Sequence, residues 1–292
     1  MKRLEVLKTY KIYIGGKFPR TESGRFYKVL NNAKEPIANV CLSSRKDIRN
    51  AVQAARKAQG SWQERTAFNR GQVLYRIAEM LEGRRTQFVE ELMLEDYTEN
   101  EANAEVNKSI DRIVYYAGWC DKFNQVASSV NPVSSSHFNF SSHEPMGVVG
   151  IIAINSSGLL GLVSSLTPVI AGGNTCVVVA SEDKPLCAVT LAEVINSSDV
   201  PGGVVNIITG HIDELWSPLS SHMDVNAISI DKTNKYVTDV QLASVDNLKR
   251  VRVYNSDYNS INEQGIQYIT DFQELKTTWH PIENIGGASS SY

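Results

Sequence analysis

The side chains that could do chemistry in this 292-residue chain are few. There are four cysteines, Cys41, Cys120, Cys176 and Cys187, and no two of them have the C-x-x-C spacing of a zinc or redox site. They are also too sparse for a disulfide framework, which places the chain in a reducing compartment. No set of residues carries metal-ligand spacing. Asn155 closes the apolar run "GVVGIIAIN", where an asparagine ends a strand and hydrogen-bonds its own turn. Glu182 lies in the loop after "TCVVVAS", a strand-to-helix position in which a carboxylate satisfies a helix dipole. Lys232 in "DKTNKYV" could meet a phosphate as a point charge, against the alternative of a solvated surface lysine. Tyr254 carries a phenol of pKa about 10, which is no base near neutrality.

Bulk properties narrow the partners. The formal charge of −3 spreads over a chain that is 42% hydrophobic and 21% charged, so it is expected to fold and carries no electrostatic footprint for nucleic acid or an anionic membrane. The N-terminus "MKRLEVLKTYKIYIGGK" lacks the apolar core of a signal peptide. The longest apolar run, "MGVVGIIAI", is about half of a membrane span. These features predict a cytosolic protein.

The elements that must position these residues follow from periodicity. "YKIYIGGKF" predicts a small hairpin around its Gly-Gly turn. In "SRKDIRNAVQAARKAQGSW" the residues Ile48, Val52, Ala55 and Gln59 share a stripe flanked by Ala51, Ala54 and Ala58, an amphipathic helix with a narrow contact face. Val73, Leu74, Ile77, Met80 and Leu81 repeat at helical spacing in the next segment, and the first ~125 residues read as mostly helical. "SSVNPVSSSHFNFSSHEP" is a linker or an exposed two-stranded arm. From Gly147 onward "GVVGIIAI", "TCVVVA", "VVNIITG" and "AISID" alternate with helical segments, which predicts a parallel, Rossmann-like sheet covered on both faces.

The ordered motifs "EPMGVVGIIAINSSG", "VIAGGNTCVVVASEDKPL", "VPGGVVNIITG" and "SHMDVNAISI", with the helix "DIRNAVQAARKAQGSW", resemble the cofactor domain of aldehyde dehydrogenases over nearly the whole chain. "LLGLVS", "DELWSPLSSHMDV" and "NLKRV" are most similar to the truncated, degenerate second module of the two-module family-16 members. The resemblance implies an α/β fold in four parts: a mainly helical N-terminal part (1–130), a β arm (131–146), a Rossmann-like sheet (147–258), and a linker with an oligomerisation strand (259–292), the catalytic domain being absent.

Such enzymes need a thiolate nucleophile, a carboxylate base and an oxyanion donor. In the family's Glu-Leu-Gly-Gly stretch, Tyr254 stands at the Glu position, with Ser256 and Asp257 at the glycines. No cysteine follows Cys187 where the nucleophile is expected. Asn155 aligns with the oxyanion asparagine, and without a nucleophile it has nothing to stabilise. The ribose-binding Lys aligns with Val179, while the other ribose contact, Glu182, is retained. Lys232 and Val237 replace the glycines of the phosphate turn, and Ile212 replaces another pocket glycine. The expected cofactor is therefore none, with NAD(P) binding weak at best.

"FQELKTTWHPIEN" resembles the family's last strand, which pairs with the arm around Phe138 to Phe140 and reaches a neighbouring subunit. The expectation is a catalytically inactive module with an oligomerisation role, a homo-oligomer or a hetero-oligomer with an aldehyde dehydrogenase chain, and no nucleic-acid or membrane partner. Two rivals stand beside it: an NAD(P)-dependent aldehyde dehydrogenase completed by a partner's cysteine, and a nucleotide-sensing regulatory module resting on Glu182 and Lys232.

Overall fold

The computed structural model of the chain describes residues 6–282 except Ser256 and Ile261. The first elements are strands, not helices: β1 (Thr9–Tyr10), β2 (Phe26–Leu30) and β3 (Pro36–Cys41) form a small sheet in the order β1-β3-β2. The hairpin expected at Gly15–Gly16 shrinks to one bridge, Ile14 to Lys17, because Tyr13 instead bridges Ile207 in the main sheet. Both glycines are left-handed, at φ 61° and 78°, which suits a tight turn.

The helical layer follows with α1 (Arg45–Gln63), α2 (Ala67–Gly83), α3 (Arg85–Leu94), α4 (Glu99–Trp119) and α5 (Phe123–Ala127). Asp47 closes the start of α1 by accepting the Ser44 N–H at 2.8 Å. The alanine-rich stripe does what small residues permit: Thr175 Oγ1 reaches the Ala55 carbonyl at 3.2 Å. Gly203, at φ 101°, sits so near that a Cβ there would lie 2.6 Å from the Ala54 carbonyl oxygen.

Next come β4 (Ser129–Asn131) and β5 (His137–Pro145), then the alternating half: β6 (Val148–Ile152), α6 (Leu160–Ala171), β7 (Thr175–Val179), α7 (Leu186–Asn196), β8 (Val205–Ile208), α8 (Ile212–Ser220), β9 (Ala227–Asp231), α9 (Val237–Ala243) and β10 (Arg250–Tyr254). These five later strands are all parallel, in the order β10-β9-β6-β7-β8. Successive side chains alternate between faces. Val149, Ile151, Cys176 and Val178 join the core built with α2, α4, α6 and α7, and Val148, Ile152, Val177 and Val179 join the core built with α1, α8 and α9. Each fully buried Val or Ile contributes about 1.5–3 kcal/mol, and this two-sided burial explains why the strands read as unbroken apolar runs.

The last carbonyls of α6 and its cap are met by distant side chains: Trp62 on Ile170 at 3.1 Å, Arg70 on Ala171 at 3.1 Å and Gln273 on Gly172 at 3.1 Å. From β10 the chain crosses in residues 255–272, through α10 (Gln267–Thr270), to β11 (Gln273–Pro281). Arg112, buried on α4, holds this crossing by donating to Glu263 O at 2.8 Å and Tyr258 O at 3.1 Å. β11 then runs antiparallel to β5 from Gln273 opposite Pro145 to Pro281 opposite His137, in a sheet of order β11-β5-β4. The Ser-rich stretch is thus an arm, its first strand starting at Ser129. Among the described residues no helix is long and apolar enough to cross a membrane.

Candidate functional site

In a parallel sheet the ligand crevice lies beyond the carboxyl ends of the strands. Asn155 and Glu182 meet there. Asn155 is exposed in the loop after β6, and its Oδ1 accepts the Glu182 N–H at 3.1 Å while its carbonyl accepts from Ser181 Oγ at 3.2 Å. The expectation that it bonds its own turn is corrected: it ties two neighbouring strand ends together. Its loop is also gripped from the helical layer, where Glu105 Oε1 accepts from Ser157 Oγ (2.8 Å), Leu159 N (2.8 Å) and Leu160 N (3.0 Å).

Glu182 spends both carboxylate oxygens on its own chain. Oε1 lies 2.6 Å from His211 Nδ1 and Oε2 accepts the Ile212 N–H at 3.0 Å. Ile212 opens α8, so the carboxylate sits on that helix's positive end. The dipole it satisfies is that of α8, not of α7, the helix that follows it in sequence. α7 is served by Glu95, whose Oε1 accepts the Leu186 N–H at 2.8 Å. Glu95 is 5% exposed, and burial pushes its carboxyl up to about 8, against the opposing effect of the Leu186 N–H and with nearby Glu91 adding to the rise.

A cavity of ≈ 410 Å³ opens at these strand ends, lined among others by Asn155, Glu182, Asp183, Asp213, Asp231 and Lys235. Lys235 is held by Asp213 at 3.0 Å. Asp183 has its carboxyl raised by burial and by the charge of Glu182. A second cavity of ≈ 490 Å³ shares the Glu182–Asp183 wall and is lined by Glu95, Asp96, Lys184 and His211 with others. The combined surface favours cations over anions.

The other sequence-identified positions are not drawn into this site. Val179 ends β7 at 2% exposure, within the core on the α1 side. Ile212 and Val237, each first in its helix, pack on that same core. Trp216 and Tyr236 stack with centroids 5.0 Å apart. Lys232 is exposed, and its backbone N–H donates to the Tyr254 carbonyl at 2.7 Å. Tyr254 donates its hydroxyl to Asp271 Oδ2 at 2.8 Å. Burial and the Asp271 charge raise that phenol above its ordinary value, further from any basic role. Asp257 is exposed, with Oδ1 accepting the Asn259 N–H at 3.1 Å; Ser256 lies outside the described residues.

All four cysteines are buried and unpaired. Burial pushes Cys120 and Cys176 up to about 12 and Cys187 well above its usual value, the opposite of thiolate activation. None lines either cavity. Among the described residues no group of three or more His, Cys, Asp or Glu is placed to hold a metal. His211, Glu95 and Glu105 are the polar residues of this region that sequence reasoning missed. Their partners lie 29, 91 and 52–55 positions away, beyond any local signal.

This fold and this strand-end crevice are those of a nucleotide-cofactor domain of the dehydrogenase type. The aldehyde dehydrogenase family model matches residues 18–254, and the chain belongs to that family. An aldehyde dehydrogenase of Aspergillus niger is 33% identical over 245 residues, 82% of this chain and 48% of the relative. Omega-crystallin of Enteroctopus dofleini is 32% identical over 251 residues, 84% of this chain and 50% of the relative. Among solved structures, the NAD+ complex of aldehyde dehydrogenase from Bacillus cereus superposes with a TM-score of 0.80 at 27% identity, covering 84% of this chain and 50% of that one. The chain spans about half the length of the curated relatives it matches.

Proposed function

We propose that this chain is a catalytically silent module of aldehyde dehydrogenase fold, cytosolic, whose work is to dock through its β arm on another subunit of that fold. The observation that carries the reading is at Tyr254. The position where the family places its carboxylate base holds a phenol committed to Asp271, and from there residues 255–272 lead straight to the arm strand β11. The burial of all four cysteines adds support, as does the rise that burial imposes on Cys120, Cys176 and Cys187.

A relative from Bacillus cereus is described as an NAD+ complex, but the residues present here do not fit a dinucleotide. The lysine position is Val179, buried and without a donor. The turn that the resemblance assigns to phosphate, ahead of α9, holds Lys232 and Val237 where the family has glycines. Asp183 and Asp231 line the remaining space beside the paired Asp213 and Lys235, and the net negative charge there opposes a pyrophosphate.

The test is turnover by the purified chain with NAD or NADP and a panel of aldehydes. No turnover is expected. Activity that disappears when any one of the four cysteines is changed to Ser would overturn the reading.

A further inference from the structure

α1 breaks a local rule on its exposed face. The first turn of a helix favours negative charge and disfavours positive charge, yet α1 opens on Arg45 and Lys46, with Arg49 one turn on. The acid of that turn, Asp47, is buried and spent on backbone N–H groups, those of Ser44 at 2.8 Å and Glu22 at 3.1 Å. Lys46 is compensated by Glu22 at 2.6 Å. Arg45 and Arg49 are exposed, and among the described residues neither has an ion-pair partner. The same holds for Lys57 further along the helix and for Arg20, which the bond from Glu22 to Asp47 brings to the helix start. Positive charge set against the dipole and left unpaired weakens the helix, and local rules are broken in this way where a surface serves a function.

Arg45, Arg49, Gln53 and Lys57 recur at every fourth position and are all exposed. They form one line about 18 Å long, with about 6 Å between neighbours. Ile48, Ala51, Val52 and Ala55 bury the opposite side of the helix in the core beneath it, which fixes the direction in which the line faces.

We propose that this line is a docking surface for an acidic helix of another protein, one that carries a carboxylate at every fourth residue. Charge and spacing together select the partner. Such a helix repeats its carboxylates at the same interval of about 6 Å, each arginine can receive one through two parallel N–H donors, and Gln53 fills its interval with a neutral amide. Nucleic acid is a poor match, because duplex phosphate charge recurs about every 1.7 Å while the chain as a whole carries −3. The surface lies on α1 and not on the β11-β5-β4 arm, so it is independent of the docking role proposed above.

The experiment is titration of the full chain with a labelled synthetic helix bearing Glu at every fourth position of an alanine–glutamine background, read by fluorescence anisotropy. Saturable binding is expected at about 20 mM salt, weakening about tenfold at about 200 mM. Combining Arg45→Glu, Arg49→Glu and Lys57→Glu should weaken it at least about tenfold, with unchanged far-ultraviolet circular dichroism. Arg45→Glu alone should also raise the melting temperature, since the charge then agrees with the dipole. Combining Lys108→Glu, Lys232→Glu and Lys276→Glu, the same charge change on exposed lysines elsewhere, should leave binding intact. The proposal is overturned if the wild type shows no saturable binding, if the α1 variant binds as the wild type does, or if the control variant loses binding equally. It also falls if a peptide of the same composition with its glutamates bunched binds as well, or if duplex DNA or phosphatidylserine vesicles bind more tightly than the peptide.

Discussion

The crevice at the strand ends and the arm treat their polar groups in opposite ways. Around Glu182, groups that would meet a ligand in a working enzyme are bound inward: Glu182 to His211 and α8, Asn155 to the Glu182 backbone, Tyr254 to Asp271. Among the described residues β11 lies at the edge of its sheet, with β5 as its paired strand. Hydrogen-bonding capacity is conserved in a folded chain, so where it is left unsatisfied is informative. On the function proposed here the crevice is closed to ligands and the arm is open to another chain. Substitutions in the first region should therefore register as stability, and those in the second as mass.

The largest effect is expected at Glu95. Burial raises its carboxyl from the ordinary value of 4.5 to about 8. The folded state keeps the protonated group at no penalty below pH 4.5 and loses that advantage as the pH rises through 8. Glu95→Gln keeps an acceptor for the Leu186 N–H but cannot ionise. It should stabilise the chain by about 3–5 kcal/mol at pH 8.5 relative to wild type, with the gap vanishing near pH 4.5. Denaturant midpoints across pH would show it; parallel profiles for the two proteins would mean that the carboxyl is not buried as described.

Tyr254→Phe removes a half-buried hydrogen bond to a carboxylate and should cost about 1.5–3 kcal/mol, read by urea denaturation. An unchanged midpoint would leave the hydroxyl free and the crevice less closed. Glu182→Ala uncaps α8 and should cost about 1 kcal/mol; thermal melting checks it, and a stabilised variant would mark Glu182 as strained and kept for a ligand. The smallest effect on stability belongs to the arm. Trp279→Glu should shift unfolding by no more than about 0.5 kcal/mol while altering the sedimenting mass, and a large destabilisation would erase the contrast between the regions.

How much of this was legible in the sequence depended on range. β6, β7, β8 and β9 were readable because two-sided burial leaves unbroken apolar runs, and α1 because its alanines and Ile48 recur at helical spacing. The β2–β3 sheet was not: Phe26, Tyr27 and Lys28 are at least partly solvent-facing, so their pattern carries no core signal. The losses at Val179 and Tyr254 were visible as residue types. What replaced them was not, since the Glu95 and Glu105 carboxylates reach helix starts set by tertiary packing, and a carboxylate in an exposed-looking helix segment gives no hint of its distant N–H.

The central claim is that the crevice no longer accepts the dinucleotide for which its fold is built. Isothermal titration of the purified chain with NAD tests it most directly. The account predicts no binding tighter than about 1 mM, because the ribose lysine is replaced by Val179 and the glycines of the phosphate turn by Lys232 and Val237. Saturable heat with a micromolar dissociation constant would contradict it.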